Sequence, residues 1–140
     1  MIERLTITAG PFTFGARLEL DAAPRTCAAF VARLPFEQQL VHVRWSGEAS
    51  WIPLGDFDFD LGPEHATSHP APGEVLLYPG PLSETEILLP YGPTLFSSVV
   101  GQLAGNHFLT IDEGLEHLRD LGVRTLWEGA QPIRFTAASS

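Results

Sequence analysis

Short stretches of alternating apolar and polar residues run along this chain, and most of them end at a glycine or a proline. In the first stretch Leu5 and Ile7 alternate with polar residues, and after Gly10-Pro11 the alternation resumes through residues 12–20. A period of two is that of a half-buried β-strand, whereas an amphipathic helix needs apolar residues three and four positions apart. The 140 residues include 13 glycines and 12 prolines, which keep such strands short because neither residue suits a strand interior. The sequence therefore predicts a mainly β fold.

Two short helices are predicted between the strands. The first begins at Pro24, which suits an initial helical turn, and ends before Pro35. The second begins at Thr110 or Asp112, within a capping box, and ends at Gly122. The predicted strands include one within residues 94–105 and another at residues 123–127. With about eight strands in total, this antiparallel-rich pattern predicts a β-barrel. The length predicts one domain, residues 1–140.

The charged residues exclude several classes of function. All eight basic side chains are arginines, and 17 acidic residues bring the net charge to -9. Without lysine the chain has neither a Schiff-base amine nor the lysine of a phosphate-binding loop. The negative charge repels phosphate groups and anionic lipids, so we expect no nucleic-acid partner and no membrane partner. The single cysteine, Cys27, excludes an internal disulfide and favours a reducing, cytoplasmic location.

Several segments resemble known proteins. Ala23-Pro24-Arg25-Thr26 is similar to the Ala-Pro-x-Thr segment that leads into the first helix of a cyclophilin. As a set, seven stretches resemble a bacterial family of uncharacterised cyclophilin-like proteins: residues 23–30, 44–48, 53–56, 76–80, 83–87, 101–108 and 126–130. The resemblance implies a closed or nearly closed β-barrel with a helix at each of two openings. It implies no activity, because the function of that family is not established.

The active strand of true cyclophilins is matched only in part. That strand resembles Phe-His-Arg, followed by Ile-Pro and then by Gln-Gly-Gly-Asp. Here Val43 separates His42 from Arg44, and the segment after Ile52-Pro53 lacks the glutamine and the second glycine. A shift of one residue on a strand also reverses the face to which a side chain points. A weak prolyl isomerase is therefore our third functional hypothesis.

Our leading hypothesis is a small-molecule-binding barrel. We predict that its ligand-binding pocket is lined by Arg44, Trp45, Trp51, Tyr78, Glu84, Tyr91 and His107. Binding pockets commonly combine an aromatic wall with a few fixed polar groups. An arginine in an otherwise acidic domain would select a ligand carboxylate or a polarised carbonyl. On a predicted strand, Arg44 shares one face with His42, and Trp45 lies on the other. No motif decides whether a reaction follows binding.

The roles of the neighbouring carboxylates and of His107 are left open. Arg44 and Glu84 are predicted to form either a structural cross-strand pair or the polar end of the pocket. Glu84 and Glu86 are predicted to share a strand face, where structural roles are favoured over a paired general acid and base. For His107, which follows Gly105-Asn106, the favoured alternative to a site residue is a hydrogen-bonded, partly buried histidine.

Two groups of residues could in principle bind metal. Asp56, Asp58 and Asp60 alternate with phenylalanines, so they are either a hard-cation site or, as we favour, the polar side of a surface strand. His65 and His69 are four residues apart, which brings two ligands together only on a helix. Nearby prolines disfavour a helix, and exposed loop histidines are favoured. We therefore expect neither a metal site nor another cofactor.

The second hypothesis is a structural protein that acts by self-association. A short chain with several apolar strands and exposed barrel edges can cover them with a symmetry-related copy. We therefore expect a homo-oligomer. The two leading hypotheses differ in their response to Arg44→Ala, which weakens ligand binding in the first and has no effect in the second unless it changes assembly.

Overall fold

The computed structural model describes residues 1–138 of the chain. Its strands and helices are β1 (Arg4–Ala9), β2 (Phe12–Leu18), α1 (Pro24–Val31), β3 (Phe36–His42), β4 (Gly47–Pro53), β5 (Ala66–Thr67), β6 (Glu74–Tyr78), β7 (Glu86–Thr94), β8 (Ser97–Ser98), β9 (Gly101–Gln102), β10 (Gly105–Glu113), α2 (Leu118–Trp127) and β11 (Gln131–Ala137). Short 3₁₀ turns, Arg44–Ser46 and Leu115–His117, precede β4 and α2.

Eight strands close into an antiparallel barrel. They pair in the order β2-β1-β11-β3-β4-β7-β6-β10, and β10 pairs with β2 to complete the circle. The predicted fold class, a mainly β barrel with two short helices, is confirmed. Within residues 1–138 each of these eight strands has a neighbour on both sides. The exposed barrel edges that led us to expect a homo-oligomer are therefore absent from this part of the chain.

Aromatic rings around α1 fill the barrel interior. The ring centroid of Phe30 lies 5.0 Å from that of Phe36, 5.0 Å from that of Phe108 and 5.1 Å from that of Phe135. All four side chains are buried. Tilted and edge-to-face pairs at this spacing add to the stabilisation that comes from burying the rings. Phe30 thereby fixes α1 to strands β3, β10 and β11.

The second helix, α2, packs against β3, β4 and β7. A buried hydrogen bond of 2.7 Å joins the hydroxyl groups of Ser50 on β4 and Thr125 on α2. Gly122 allows the ring of Tyr91 to lie directly against the helix, because a Cβ atom at this glycine would overlap that ring. The position of α2 therefore depends on one small residue and one buried polar pair.

A second apolar layer covers the outside of the barrel. Leu76 and Tyr78 of β6 and Leu88 of β7 face away from the interior and pack beneath Phe96 and Leu103. The covering segment, residues 95–104, contains the β8–β9 hairpin and is called the arm below. Strands β6 and β7 are therefore buried on both faces where the arm lies over them, which explains their continuous apolar runs.

Glu64 ties the long loop between β4 and β6 to the start of α1. Its carboxylate accepts hydrogen bonds from the backbone amides of Arg25 and Thr26, at 3.1 and 2.8 Å, and from the Thr26 hydroxyl at 2.8 Å. Desolvation by itself would raise the pKa of Glu64, but these hydrogen bonds outweigh it and lower the pKa to about 2. Because Ala23 at the N-cap has no capping side chain, Glu64 caps the helix from a distance.

Three predictions about secondary structure are wrong. The capping-box residues from Thr110 to Glu113 extend β10, and α2 begins only at Leu118 and continues through Gly122. Residues 123–127, predicted as a strand, are helical, and residues 94–105 form the end of β7 and the arm rather than one strand. Pairing of β10 with β2 closes the barrel, and this tertiary gain outweighs the local signals for a helix.

Candidate functional site

The seven predicted pocket residues lie in five different surroundings. Arg44 and Trp45 lie in the turn before β4, and their neighbour Trp51 lies on β4. Tyr91 lies inside the barrel on β7, Tyr78 in the outer apolar layer, Glu84 in the segment before β7, and His107 on β10. The structure therefore brings Trp45 and Trp51 into contact, with Arg44 adjacent to Trp45 in the chain, and places Glu84 and His107 on other elements.

Arg44 begins a 3₁₀ turn and does not continue a strand. Strand β3 ends at His42, so the prediction that Arg44 and Trp45 point to opposite strand faces is wrong. The turn is fixed to the arm, because the Ser46 hydroxyl donates a 3.0 Å hydrogen bond to the carbonyl of Ser97. The prolyl isomerase hypothesis relied on a strand position for Arg44 and receives no support from this turn.

Trp45 and Trp51 form an aromatic pair at the surface. Their ring centroids are 6.2 Å apart and their planes meet at 71°, an edge-to-face arrangement. Trp51 packs against the outer apolar layer, whereas Trp45 is 55% exposed. Exposed tryptophan surface that is held in place by packing is typical of binding sites. A planar ligand could lie against this pair without any change in the barrel.

The guanidinium group of Arg44 is not engaged by the protein. Six arginines pair with carboxylates, namely Arg4, Arg17, Arg25, Arg119, Arg124 and Arg134. Arg33 lies over the ring of Phe57. Arg44 makes neither kind of contact with any residue of 1–138, and the predicted pair with Glu84 does not form. Its charge is therefore available to a ligand.

A histidine and a tyrosine meet inside the barrel near Arg44. A 2.6 Å hydrogen bond joins Nε2 of His42 and the hydroxyl of Tyr91. Burial lowers the pKa of His42 and the charge of Arg44 lowers it further, so the ring is neutral at pH 7. Its Nδ1 atom is buried, and no described residue hydrogen bonds to it. In the sequence His42 stands out only as a neighbour of Arg44, because no local pattern pairs it with Tyr91.

An ion pair lies beside this histidine. Arg119 of α2 donates hydrogen bonds of 3.1 and 2.8 Å to the two carboxylate oxygens of Glu48. Its guanidinium carbon also lies 5.6 Å from the ring centroid of Tyr91. The hydrogen bonds from Arg119 lower the pKa of Glu48. Arg119 and Glu48 therefore neutralise each other at this end of the barrel, whereas Arg44 pairs with no carboxylate of residues 1–138.

Glu86 is a buried carboxyl group at the start of β7. The residue is 2% exposed. Desolvation, and then the nearby charge of Glu84, raise the pKa of Glu86 to about 8. Glu84 itself is exposed and precedes the strand. The continuous apolar run after Glu86 is the one signal in the sequence that both faces of this strand are buried.

Comparison with known proteins places this chain in a family. A family described as "Protein of unknown function (DUF3830)" matches residues 5–137. The chain belongs to the DUF3830 family. This confirms the uncharacterised family expected from the sequence. No curated protein matches the chain.

Two solved structures share the fold of this DUF3830 protein. One is the structure of McbB in complex with tryptophan, with a TM-score of 0.74 and 16% identity, covering 97% of this chain and 45% of that one. The chain thus spans about half the length of that protein. The other is the solution structure of the hypothetical protein AF2241 from Archaeoglobus fulgidus, with a TM-score of 0.61 and 18% identity, covering 98% and 95% of the two chains. These likenesses show the barrel fold.

His107 of the DUF3830 protein belongs to a separate polar network. The Thr110 hydroxyl donates to Glu19 at 2.9 Å, so its oxygen accepts the hydrogen bond from Nε2 of His107 at 2.8 Å. The ring of His65 stacks on that of His107 at a centroid distance of 5.2 Å. Burial lowers the pKa of His107 below its usual value. The favoured alternative, a hydrogen-bonded buried histidine, matches this environment.

Neither a metal-binding cluster nor a membrane-spanning helix is found within residues 1–138. In that part of the chain no group of three or more histidine, cysteine, aspartate or glutamate side chains could hold a metal ion. None of its helices has both the length and the apolar character needed to cross a membrane.

Proposed function

We propose that this DUF3830 protein binds a small aromatic molecule that carries a carboxylate. Arg44 would pair with the carboxylate, and Trp45 and Trp51 would contact the ring. The observation that carries the proposal is that the Arg44 guanidinium pairs with no residue of 1–138 and that the next residue, Trp45, is 55% exposed. A charged hydrogen bond to a carboxylate gives both affinity and orientation, and an aromatic face gives contact area at little cost in entropy.

The likeness to McbB supports this choice of ligand class. That protein was solved in complex with tryptophan, which is an aromatic molecule with a carboxylate. At 16% identity the likeness carries the fold and not the site. It therefore supports the proposal only together with the residues of this chain.

Isothermal titration calorimetry with indole-3-propionate tests the proposal. We expect saturable binding to the wild-type protein and a loss of about tenfold or more in Arg44→Ala, the effect of removing one charged hydrogen bond. Arg33→Ala is the matched control, because it removes an arginine that also pairs with no carboxylate in residues 1–138. Equal losses in the two variants, or no binding to the wild-type protein, would contradict the proposal.

Self-association is the second candidate function, and the arm favours it. At the tip of the β8–β9 hairpin, Val99 is 83% exposed and Val100 is 62% exposed. Adjacent exposed valines are costly to leave in water and suit contact with another copy of the chain. Native mass spectrometry of the wild-type protein and of a Val99→Ser, Val100→Ser double variant tests this. A wild-type monomer would remove this candidate.

A further inference from the structure

Two histidine rings stack where the long loop between β4 and β6 meets β10. His65 lies on this loop and is exposed, whereas His107 on β10 is buried. Their ring centroids are 5.2 Å apart and their planes meet at 26°. Two neutral imidazole rings can share this arrangement, but two imidazolium ions would repel each other across it. A change of charge can therefore break this contact.

Hydrogen bonds fix which nitrogen of each ring carries the proton in the neutral state. Nδ1 of His65 lies 3.0 Å from the carbonyl oxygen of His107, and a carbonyl only accepts, so this Nδ1 carries the proton. Nε2 of His107 carries its proton and donates it to the hydroxyl of Thr110. A second proton would therefore enter at Nε2 of His65 or at Nδ1 of His107. Charging either ring leaves these hydrogen bonds in place, so the stack responds to pH through charge repulsion.

Burial and the charged groups of three elements determine when His107 becomes charged. Burial has the largest effect and lowers the pKa of His107 below its ordinary value of 6.5. Glu74 of β6 and Glu19, which follows β2, favour the charged ring, whereas His65 and Arg17 oppose it. A released ring in water would take up its proton near the ordinary value. The closed arrangement is therefore favoured at pH 7 and loses stability as the pH falls below 6.5.

The titratable groups of α1 and its anchor keep their charge over this pH range. Burial raises the pKa of the Cys27 thiol to about 11, so the thiol keeps its proton. Arg25 pairs with Glu64 at 3.2 Å. Desolvation of Glu64 is outweighed by its hydrogen bonds, which hold its pKa at about 2. Glu64 therefore stays bound to α1 in mildly acid solution and confines any release to the residues that follow it.

The segment after His65 connects the stack to the arm. Strand β5 is only two residues long and pairs with β10. The carbonyl of Ser68 then accepts the backbone N–H of Phe96 at 2.8 Å. Phe96 is fully buried and packs edge-to-face on Tyr78, with ring centroids 5.8 Å apart. Because so short a strand is weak by itself, its hold on the arm depends on the stack beside it.

The backbone at His65 favours release once the stack is lost. Its φ is +51°, in the left-handed region that a residue with a Cβ atom rarely adopts. Such a conformation persists only where the surrounding contacts hold it. Here these contacts are the ring stack, the Nδ1 hydrogen bond and a 3.2 Å hydrogen bond from the N–H of His107 to the carbonyl of His65.

We propose that His65 and His107 form a pH-sensitive latch. Near neutral pH the stacked rings hold β5 against β10 and thereby hold the arm over the outer apolar layer. In mildly acid solution charge repulsion opens the stack, β5 separates from β10, and the arm loses its hydrogen bond to Ser68. The latch goes beyond the proposed function, because it lies on β10 and the loop, whereas the proposed ligand site lies on β4 and the turn before it.

Hydrogen exchange of single backbone amides, measured by NMR at pH 7.0 and 5.5 and corrected for the intrinsic exchange rate, tests the latch. The reporter is the Phe96 N–H, and the amides of β1 are the reference for the barrel. In the wild type we expect the protection of the reporter to fall about fivefold or more at pH 5.5. His65→Phe keeps an aromatic ring and cannot become charged, so its reporter should change by less than about twofold. His69→Phe, which removes another exposed histidine of the same loop, should respond like the wild type.

Two other titratable groups are separated from the latch by this design. The pKa of Glu86 is about 8, so protonation of Glu86 stabilises the folded protein as the pH falls, and the protection of β1 should not decrease. His42 is retained in His65→Phe, so an effect of His42 would persist in that variant. An equal fall in the wild type and His65→Phe, or no fall in the wild type, would overturn the proposal. So would a His69→Phe variant that behaves like His65→Phe.

A second measurement needs no variant. The ¹³Cε1 signal of His107 in the wild type reports its protonation directly, and the Phe96 amide can be followed over the same series of pH values. We expect the midpoint of the His107 titration to coincide with the midpoint of the loss of Phe96 protection. Separate midpoints would show that the arm opens independently of this ring, and the latch would be wrong.

Discussion

Replacing Glu86 with glutamine should make the protein more stable at neutral pH. The pKa of Glu86 is about 8 in the folded protein, against an ordinary value of 4.5. Between these two pH values the unfolded chain has lost the proton that the folded protein keeps, so wild-type stability falls as pH rises. Each pH unit in this interval removes about 1.4 kcal/mol, which gives about 3 kcal/mol at pH 7. Glutamine cannot ionise, so Glu86→Gln avoids this loss.

Urea unfolding followed by tryptophan fluorescence measures the effect. The difference in the free energy of unfolding between Glu86→Gln and the wild type should grow steadily from pH 5 to pH 8 and level off above it. Glu84→Gln removes a nearby charge and should change this pH dependence only slightly. If the wild type and Glu86→Gln gave parallel curves over this range, Glu86 would not be held neutral by burial and our reading of its environment would be wrong.

Three other variants test how the barrel is held together. Glu64→Gln should lower the free energy of unfolding by about 2 kcal/mol at pH 7, because the charged hydrogen bonds to Thr26 at the start of α1 are weakened. Since the pKa of Glu64 is about 2 in the folded protein, wild-type stability should fall as the pH drops below 4.5. Acid unfolding curves of Glu64→Gln should show less of this fall. Gly122→Ala should cost about 1–3 kcal/mol in thermal unfolding, because the new methyl group overlaps the ring of Tyr91; an unchanged melting temperature would mean that α2 does not rest on that ring. Phe30→Ala should cost about 3–5 kcal/mol in urea unfolding, since the ring fills the barrel interior, and a smaller loss than Gly122→Ala would contradict this packing.

The sequence predicted the barrel well because most of its strands have one buried face. The alternation around Leu5 and Ile7 and the helical spacing after Pro24 both appear where they were expected. The second helix was misplaced, because Thr110 and Asp112 carry a capping signature that is equally compatible with a strand. In the structure the Thr110 hydroxyl donates a hydrogen bond to Glu19, which is 91 residues away in the chain, so no local pattern could predict this contact.

The site was predicted less completely, because its key properties are tertiary. Trp45 and Trp51 pack against each other, as expected of residues close in sequence, but the strand ends before Arg44, so Arg44 does not have the direction predicted for it. Glu86 is buried at the start of β7, a strand whose Leu88 packs beneath the arm on its outer face. Alternation along a single strand cannot show that both of its faces are covered.

Chemical shifts of the three tryptophan indole groups test the proposed site most directly. In a ¹⁵N-labelled protein, indole-3-propionate should shift the indole N–H signals of Trp45 and Trp51 along saturable curves. The signal of Trp127, which is 76% exposed at the end of α2, should stay in place. Saturable movement of the first two signals alone would support binding at the aromatic pair. Equal movement of all three, or none, would show that the pair beside Arg44 is not a ligand site.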